Sequence, residues 1–451
     1  MNQRVIKKVR CNICSAGCPI DAYVEEGTLV SVEGSRDLPG QSGGLCSKGA
    51  ASRQYVYNKD RILYPMKRIG KKGSGEFERI SWDEAYRMIA ENLFRIKKEY
   101  GPQAAAFYAG YPKWYRPALL RLANAYGSPN YCTESSTCFQ SAAMAWKSIY
   151  GNDICFPDLM HAQTVLVWSN NLYHSNVGMA RPYQSLKARG AKIIAVDPRE
   201  TVTTQAADIH LKLLPGTDGA LALSMAQVII EEGLYDKEFV EKYVYGFEEY
   251  KAYVNQFPPE KAEKITGVDK ELIREAARMY ASNGPAGIMF SASPVVHNIN
   301  GMQNYRAVMC LIALTGNYDI PGGNPSRPGP VSPCNEYGKV KRLDTIEAIG
   351  EKDFPAWFDL PCEEAQCTRI ADYILKDRDD VLNVFIHGNM PEKTQRIMVL
   401  YNVEENEAVK MIADTDKRRM TNYNFYTEQK WGKASNCLLY TSPSPRDRSL
   451  S

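Results

Sequence analysis

Apolar and polar positions fall into three regimes along the chain. Residues 1–60 alternate over the short spans 21–24 and 28–33, then pass through Gly40, Gly43 and Gly44. Short alternating runs with dense turn signals and no helical period predict a small β module. At Ser81 the character changes. Ser81, Trp82, Asp83 and Glu84 form a capping box, and Tyr86, Ile89, Ala90, Leu93 and Ile96 then share one helical face up to Gly101. A buried strand is expected at 104–109 and a second helix at 117–126, ended by Gly127. A strand between helices reads as an α/β layer.

The third regime is the clearest. A strand at 164–168, a polar loop at 169–178, a helix at 180–189 stopped by Gly190 and a strand at 191–196 ending at Asp197 make a β–loop–α–β unit. If its strands are parallel, the crossover is right-handed. A strand at 210–214, a turn at 215–218 and a helix at 219–232 follow, and a helix at 270–281 leads through the turn 283–285 to a strand at 286–291. Open parallel sheets bind ligands beyond the carboxyl ends of their strands. The loops 169–178, 197–204 and 215–219 are therefore expected to face one crevice. From Pro321 the chain is Pro/Gly-rich, then mixed, with one more strand at 381–386 before His387 and Gly388. Beyond 395 the pattern defines no element. After Trp431 apolar periodicity stops, and 431–451 reads as a disordered or non-native tail.

Composition narrows the function classes. With 451 residues the chain exceeds one core, so two or three domains are expected. Charged residues at 24% and hydrophobic ones at 44% are those of an ordinary soluble protein. The net charge of +3, without a basic block interleaved with aromatics, speaks against nucleic acid as a partner. There is no apolar run long enough for a direct membrane span. The N-terminus is basic but lacks an apolar segment before Cys11, so the chain as written shows no export signal and reads as cytoplasmic. Twelve cysteines over this length suit reduced, metal-using chemistry and not a disulfide scaffold.

Four of those cysteines carry the most information. Two residues separate Cys11 from Cys14, three separate Cys14 from Cys18, and 27 precede Cys46. Thiolates at this density suit zinc or an iron–sulfur cluster, not calcium or magnesium. A zinc knuckle presents two CxxC-like pairs. Three thiols in one turn-rich segment with a fourth returning from a distant loop fit a cubane [4Fe–4S] better. A bound metal also supplies folding energy that so small a module lacks.

Further motifs follow in order: Cys46-Ser-Lys48-Gly49, Asp60-Arg61 leading to Tyr64-Pro65, Ser81-Trp82-Asp83, and Gly127-Ser-Pro-Asn130 with Cys138 eight residues on. Asp197-Pro-Arg199 with Thr201, Pro215-Gly-Thr-Asp218-Gly, and Leu314-Thr-Gly316-Asn317 leading to Pro321-Gly-Gly323 complete the set. In this order the chain resembles the N-terminal half of a molybdopterin oxidoreductase of the dimethyl-sulfoxide-reductase family. The resemblance covers roughly residues 8 to 325. It implies an α/β fold: a small N-terminal β iron–sulfur module, then doubly wound α/β domains, with the family's C-terminal β-barrel domain missing. The expected divisions are 1–65 for the cluster module, 66–155 for the first part of the pterin-binding domain with the metal-ligand loop, and 156–325 for a Rossmann-like pterin guanine dinucleotide-binding domain. Residues 326–430 continue the α/β domain, incompletely, before the tail.

The resemblance also implies the cofactors, a [4Fe–4S] cluster and bis-molybdopterin guanine dinucleotide with molybdenum or tungsten. Cys11, Cys14, Cys18 and Cys46 would hold the cluster, with Lys48 between cluster and pterin unless it is a solvated lysine. Cys138 would ligate the metal, where a helix N-terminus stabilises a thiolate; Cys132, six residues earlier, is the rival. Asn170, Asn171 and Ser175 would donate to pyrophosphate and pterin. Asp197, with Arg199 and Thr201, would meet guanine or ribose, although an Asp-Pro pair also simply caps a strand. Gly216, Thr217 and Asp218 would form the second nucleotide-selecting turn. Arg306 would pair with a pterin oxygen or phosphate, while His297 is equally a proton carrier or a structural histidine. Arg181 is either helix surface or a phosphate contact. No GxGxxG follows a strand, so an NAD site is unsupported.

The function implied is two-electron oxygen- or sulfur-atom transfer or hydride transfer on a small-molecule substrate. Electrons would leave through one cluster to a ferredoxin-like iron–sulfur electron-transfer subunit or a soluble electron carrier. Formate-dehydrogenase-like oxidation and a non-catalytic electron-transfer scaffold are the alternatives, the latter opposed by Cys138. Hydration, as in the family's acetylene hydratase, needs an aspartate after the second cluster cysteine, where this chain has Ser15. Glu134, Ser135 and Trp146, with Lys113, Trp114 and Tyr115, are the local candidates for substrate selection, and an oxyanion or sulfur-compound reductase is the expectation.

Overall fold

The computed structural model describes residues 4–13, 17–38, 44–111, 115–151, 154–291, 295–298, 300–326, 346–355, 358, 364–375, 384–386, 394–395, 397–398, 403–413 and 439–441. The chain divides into two compact units, Met1–Ile370 and Ala371–Ser451.

The first unit opens with an antiparallel sheet of β1 (Arg4–Arg10), β2 (Pro19–Glu25) and β3 (Thr28–Gly34), in that order. Glu26 at φ 49° and Gly27 at φ 80° make the tight turn between β2 and β3, the positive-φ pair that a two-residue hairpin requires. The sequence reading missed β1. All seven of its residues are exposed, so pairing with β2 and not burial makes it a strand, and no apolar alternation marks it. Two short helices follow Cys46, α1 (Ser47–Ala50) and α2 (Ser52–Val56). They correct the purely β expectation; one turn each is too short for a period to show. Among the described residues, the module's core is Cys11, Ile20 and Ala22, packed by Cys18, Leu29, Val32 and Leu45.

A ribbon of β4 (Met66–Arg68) and β5 (Phe77–Arg79) leads to α3 (Trp82–Tyr100). The Ser81 hydroxyl accepts from the Glu84 backbone N–H at 3.0 Å, as the cap predicts. The apolar stripe of α3 is present but not covered: no residue of the helix is buried. β6 (Phe107–Ala109) and β7 (Tyr131–Thr133) pair in parallel, with α4 (Arg116–Tyr126) between them. Gly127 ends α4 at φ 94°, a left-handed cap that glycine adopts without steric cost. α5 (Gln140–Tyr150) follows, its Ala142, Ala145 and Trp146 fully buried.

The largest layer holds β8 (Thr164–Trp168), α6 (Ala180–Ala188), β9 (Lys192–Val196), α7 (Val202–Gln205), β10 (Ile209–Leu211) and α8 (Asp218–Glu231). It continues with α9 (Lys237–Tyr243), α10 (Phe247–Val254), α11 (Pro259–Thr266), α12 (Lys270–Ser282), β11 (Ala286–Phe290) and the helix Gly301–Leu314. The sheet order is β10-β9-β8-β11, every pair parallel. Alternate residues face opposite cores. Leu166, Trp168, Ile194 and Ile288 join the cluster of α8, α12 and Gly301–Leu314, whereas Val165, Val167, Ile193 and Met289 join Leu172, Tyr183 and Leu186. Buried on both faces, β8 reads as a continuous apolar run. Helices on both faces of a parallel sheet make the fold doubly wound, and its order reverses between β8 and β11.

In the second unit β12 (Val384–Ile386) pairs in parallel with β13 (Leu439–Thr441). β12 falls inside the strand expected at 381–386; β13 is a three-residue strand inside the segment read as a tail.

Candidate metal and pterin site

The hairpin of β1 and β2 fixes where the first thiols lie. The Cys11 backbone N–H donates to the Cys18 carbonyl at 2.8 Å, at the loop end of the hairpin. Cys46 stands at the N-terminus of α1. Gly49 of that helix is buried, and a Cβ added there would lie 3.8 Å from the Cys11 sulfur and 3.4 Å from Leu45. α1 is therefore seated on the Cys11 turn, so Cys11, Cys18 and Cys46 gather at one end of the module. Cys14 lies outside the described residues, and among those described no three Cys, His, Asp or Glu side chains converge as a closed metal cage. Thiols at one end of a module with so sparse a core suit a thiolate-held group. Lys48 is exposed on α1.

The parallel sheet brings the loops after β8, β9 and β10 to its carboxyl edge, as the sequence pattern required. Ser169, the first residue past β8, holds φ 51°, a strained value for serine of the kind found at ligand-binding turns. Asn170 donates across the strand-order reversal to the Phe290 carbonyl at 3.1 Å. Asn171 leaves its side-chain oxygen buried without a partner, which points to a donor that the protein does not itself supply. Ser175 is exposed in the same loop. The Asp197 carboxylate accepts from the Arg199 backbone N–H at 2.9 Å, so it caps its own strand end; Arg199 is exposed. Thr201 caps α7 in a reciprocal pair with Thr204.

Asp218 is buried, and its Oδ1 accepts from the Trp168 indole at 2.7 Å. Burial raises its carboxyl above the usual range, against the lowering effect of that bond. One acceptor of the expected nucleotide-selecting acid is thus already engaged. Gly216 at φ 87°, Thr217 and Arg306 line one cavity of about 480 Å³ together with Tyr250, Tyr253 and Asn304. Arg306 donates to Gln303 at 2.9 Å, while its Nε is buried without a partner. His297 is exposed. Arg181, at the start of α6, reaches back to the cluster module: a Cβ added to Gly44 would lie 3.7 Å from its Nη1.

The two rival cysteines have opposite surroundings. Cys132 sits inside β7, wholly buried with Ala348, Ile349 and Ala365, and burial pushes its thiol up to about 12. Cys138 is partly exposed, between the 3₁₀ turn Glu134–Thr137 and α5, with its backbone N–H donating to the Ser135 carbonyl at 3.0 Å. Arg116 forms an ion pair with Glu134 and donates to the Gly110 and Tyr111 carbonyls. It thereby ties the loop after β6 to the turn before Cys138. Lys113 and Trp114 lie outside the described residues. Sequence reasoning missed Arg116, Thr133, Glu364 and Cys367 in this region. Thr133 and Glu364 meet across 231 positions, so no local pattern announces them.

A thiol-rich β module joined to a doubly wound parallel sheet, with unpartnered buried donors and acceptors at its carboxyl edge, defines a metal- and nucleotide-cofactor protein. The chain belongs to the molybdopterin oxidoreductase family: residues 61–426 match Molybdopterin oxidoreductase, and residues 6–58 match the Molybdopterin oxidoreductase Fe4S4 domain. These domains carry a molybdopterin-bound metal and a [4Fe–4S] cluster.

Among curated relatives, it is 32% identical over 346 residues to the thiosulfate reductase molybdopterin-containing subunit PhsA of Salmonella typhimurium, covering 76% of this chain and 45% of that protein. It is 36% identical over 330 residues to formate dehydrogenase H of Escherichia coli, covering 70% and 46%. Among solved structures, acetylene hydratase from Pelobacter acetylenicus matches with a TM-score of 0.62 and 35% identity, over 69% of this chain and 43% of the other. The chain spans a little under half the length of these relatives.

Proposed function

We propose that this chain is the cluster-bearing and pterin-binding part of a molybdenum or tungsten oxidoreductase that reduces a small oxyanion or sulfur compound. Cys11, Cys14, Cys18 and Cys46 would hold the cluster. Cys138 would ligate the metal, because its thiol is accessible at the entry to α5 whereas Cys132 is sealed and protonated. Asn170, Asn171, Ser175, the Asp197–Thr201 turn, the Gly216–Asp218 turn and Arg306 would seat the pterin nucleotides. When bound, the pterin-held metal supplies a two-electron redox centre and the cluster a one-electron exit. The observation that carries the reading is the approach of Arg181 to Gly44. It brings the helix that follows the pterin loop against the segment bearing Cys46, so cofactor loop and cluster module meet within one structure.

The residues of the chain perform the supporting work. Arg116 and Glu134 hold the two loops beside Cys138, and Asn171 and Arg306 offer buried polar atoms that only a ligand satisfies. An electron-transfer subunit or soluble carrier would dock at the cluster module. Formate oxidation is the second reading, supported by the relatives named formate dehydrogenase. Hydration is disfavoured because Ser15 supplies no acid.

The test is metal analysis paired with turnover, on the chain together with whatever completes it. Cys138→Ala should abolish turnover while keeping iron, and Cys132→Ala should keep both. Reduced viologen should be oxidised by thiosulfate, polysulfide, nitrate or another acceptor of this class. Robust formate oxidation with every acceptor silent would select the second reading, and iron without molybdenum or tungsten would leave only an electron-transfer scaffold.

A further inference from the structure

Among the described residues of 346–370, several touch β7 and the turns that flank it at successive points. The Ile349 N–H donates to the Asn130 side-chain oxygen at 2.9 Å. The Ala365 N–H donates to the Tyr131 carbonyl at 2.7 Å. The Thr133 hydroxyl donates to the Glu364 carboxylate at 2.7 Å. The Cys367 N–H donates to the Ser136 hydroxyl at 3.2 Å, and the Cys367 sulfur lies 2.7 Å from that oxygen. Each contact joins residues more than 200 positions apart, and together they advance along the chain toward Cys138.

Thr133 is the pivot. Its hydroxyl accepts from the Ser135 N–H at 3.1 Å and lies 2.8 Å from the Ser135 hydroxyl. It therefore caps the 3₁₀ turn Glu134–Thr137, whose last carbonyl acceptor, Ser135, receives the Cys138 N–H. Glu364 thus bears on Cys138 through two hydrogen bonds and a cap, without touching it. A side-chain acceptor for a buried hydroxyl fixes its rotamer, and a fixed cap fixes the turn it closes. Arg116 holds the same turn from the other side through Glu134. A metal ligand placed on a loop needs such outside support to keep its sulfur in a narrow range of positions.

We propose that Glu364 is a positioning residue for Cys138, and that the strap carrying Glu364 and Cys367 locks the ligand loop from a distant part of the chain. The proposal rests on Cys138 being the metal ligand. Thr133 only has to donate to Glu364, so an amide oxygen serves as well as a carboxylate, and a methyl group does not.

Hydrogen–deuterium exchange of the holoprotein, read on peptides covering 131–139, tests it. Glu364→Ala should speed exchange of the 135–138 amides about tenfold, as loss of one buried hydrogen bond does for a locally opening segment, with peptides of the β8–β11 sheet unchanged. Glu364→Gln should stay within about twofold of the native protein, since it keeps the acceptor. If Glu364→Ala does not fold, Thr133→Val reports on the same link and should show the same local rise. Native exchange in both disruptive variants overturns the proposal. A uniform rise over the whole chain overturns it too, because Glu364 would then serve only global stability. Undiminished turnover by Cys138→Ala would instead sink the ligand assignment, which the exchange data do not depend on.

Discussion

At the scale of single residues, Asp218 is a buried carboxyl held against an indole. Asp218 stands out in a Pro-Gly-Thr-Asp turn, but its bond to the Trp168 indole spans 50 positions and follows from the fold alone. The burial of Asp218 has a thermodynamic consequence. An unfolded aspartate ionises near 3.8, and burial raises Asp218 above that value in the folded chain. Between the two values the folded state holds more protons than the unfolded one, so stability falls as pH rises through the window. The stabilisation is fully present below the unfolded value and is lost as pH climbs past the raised one. Asp218→Asn keeps an acceptor for Trp168 and never ionises. Its melting midpoint relative to the native chain should therefore rise as pH climbs from below the unfolded value through the raised one, measured on cofactor-free protein. A gap that stays constant across that range would mean that Asp218 titrates as an ordinary carboxyl. Asn171, Arg306 and Cys138 were singled out as candidates by motif position. Glu364 and Thr133 were not, because nothing local distinguishes a strap from any other loop.

Elements were legible where burial is one-sided or complete over a few residues. β8 was read at its observed bounds, and β9, β11, α8 and α12 within a residue, because apolar runs bounded by glycine and polar turns leave little choice of register. The helix Gly301–Leu314 escaped because nine of its residues are buried, which erases the amphipathic stripe that marks a surface helix. α10 and α11 escaped because each is only eight residues long. β11 sets a tight constraint on this layer. A Cβ at Gly287 would stand 2.8 Å from Pro157 Cβ and 3.3 Å from the Gly323 carbonyl. Neither neighbour can swing away, so a methyl group there must push strand from turn. Gly287→Ala should cost about 1–3 kcal/mol, as overpacking does in a close-packed core, seen as a lower denaturant midpoint with an unchanged slope. A shift within about 0.5 kcal/mol would show that the 322–323 turn yields freely.

At the scale of the molecule, exposed apolar side chains are concentrated in the N-terminal third. Ile62 is 76% exposed and Phe94 71%, and on α3 Trp82, Tyr86 and Ile89 are 60%, 61% and 56% exposed. The last three recur at helical spacing, and Trp82 stacks on Tyr86 with ring centroids 5.6 Å apart, so they form one continuous stripe. A stripe of this kind is what a covering surface packs against, and left open it draws dye molecules and other copies of the chain. The 451-residue chain purified by itself should bind a hydrophobic fluorescent dye and associate with rising concentration. Tyr86→Glu combined with Ile89→Glu should suppress both. Because neither side chain is buried in this chain, the double variant should melt within about 0.5 kcal/mol of the native protein, the range of ordinary surface changes. A large loss of stability would show that the stripe is already packed against something within the chain, whereas undiminished dye binding would place the sticky surface elsewhere, with Ile62 and its neighbours as the next stretch to change.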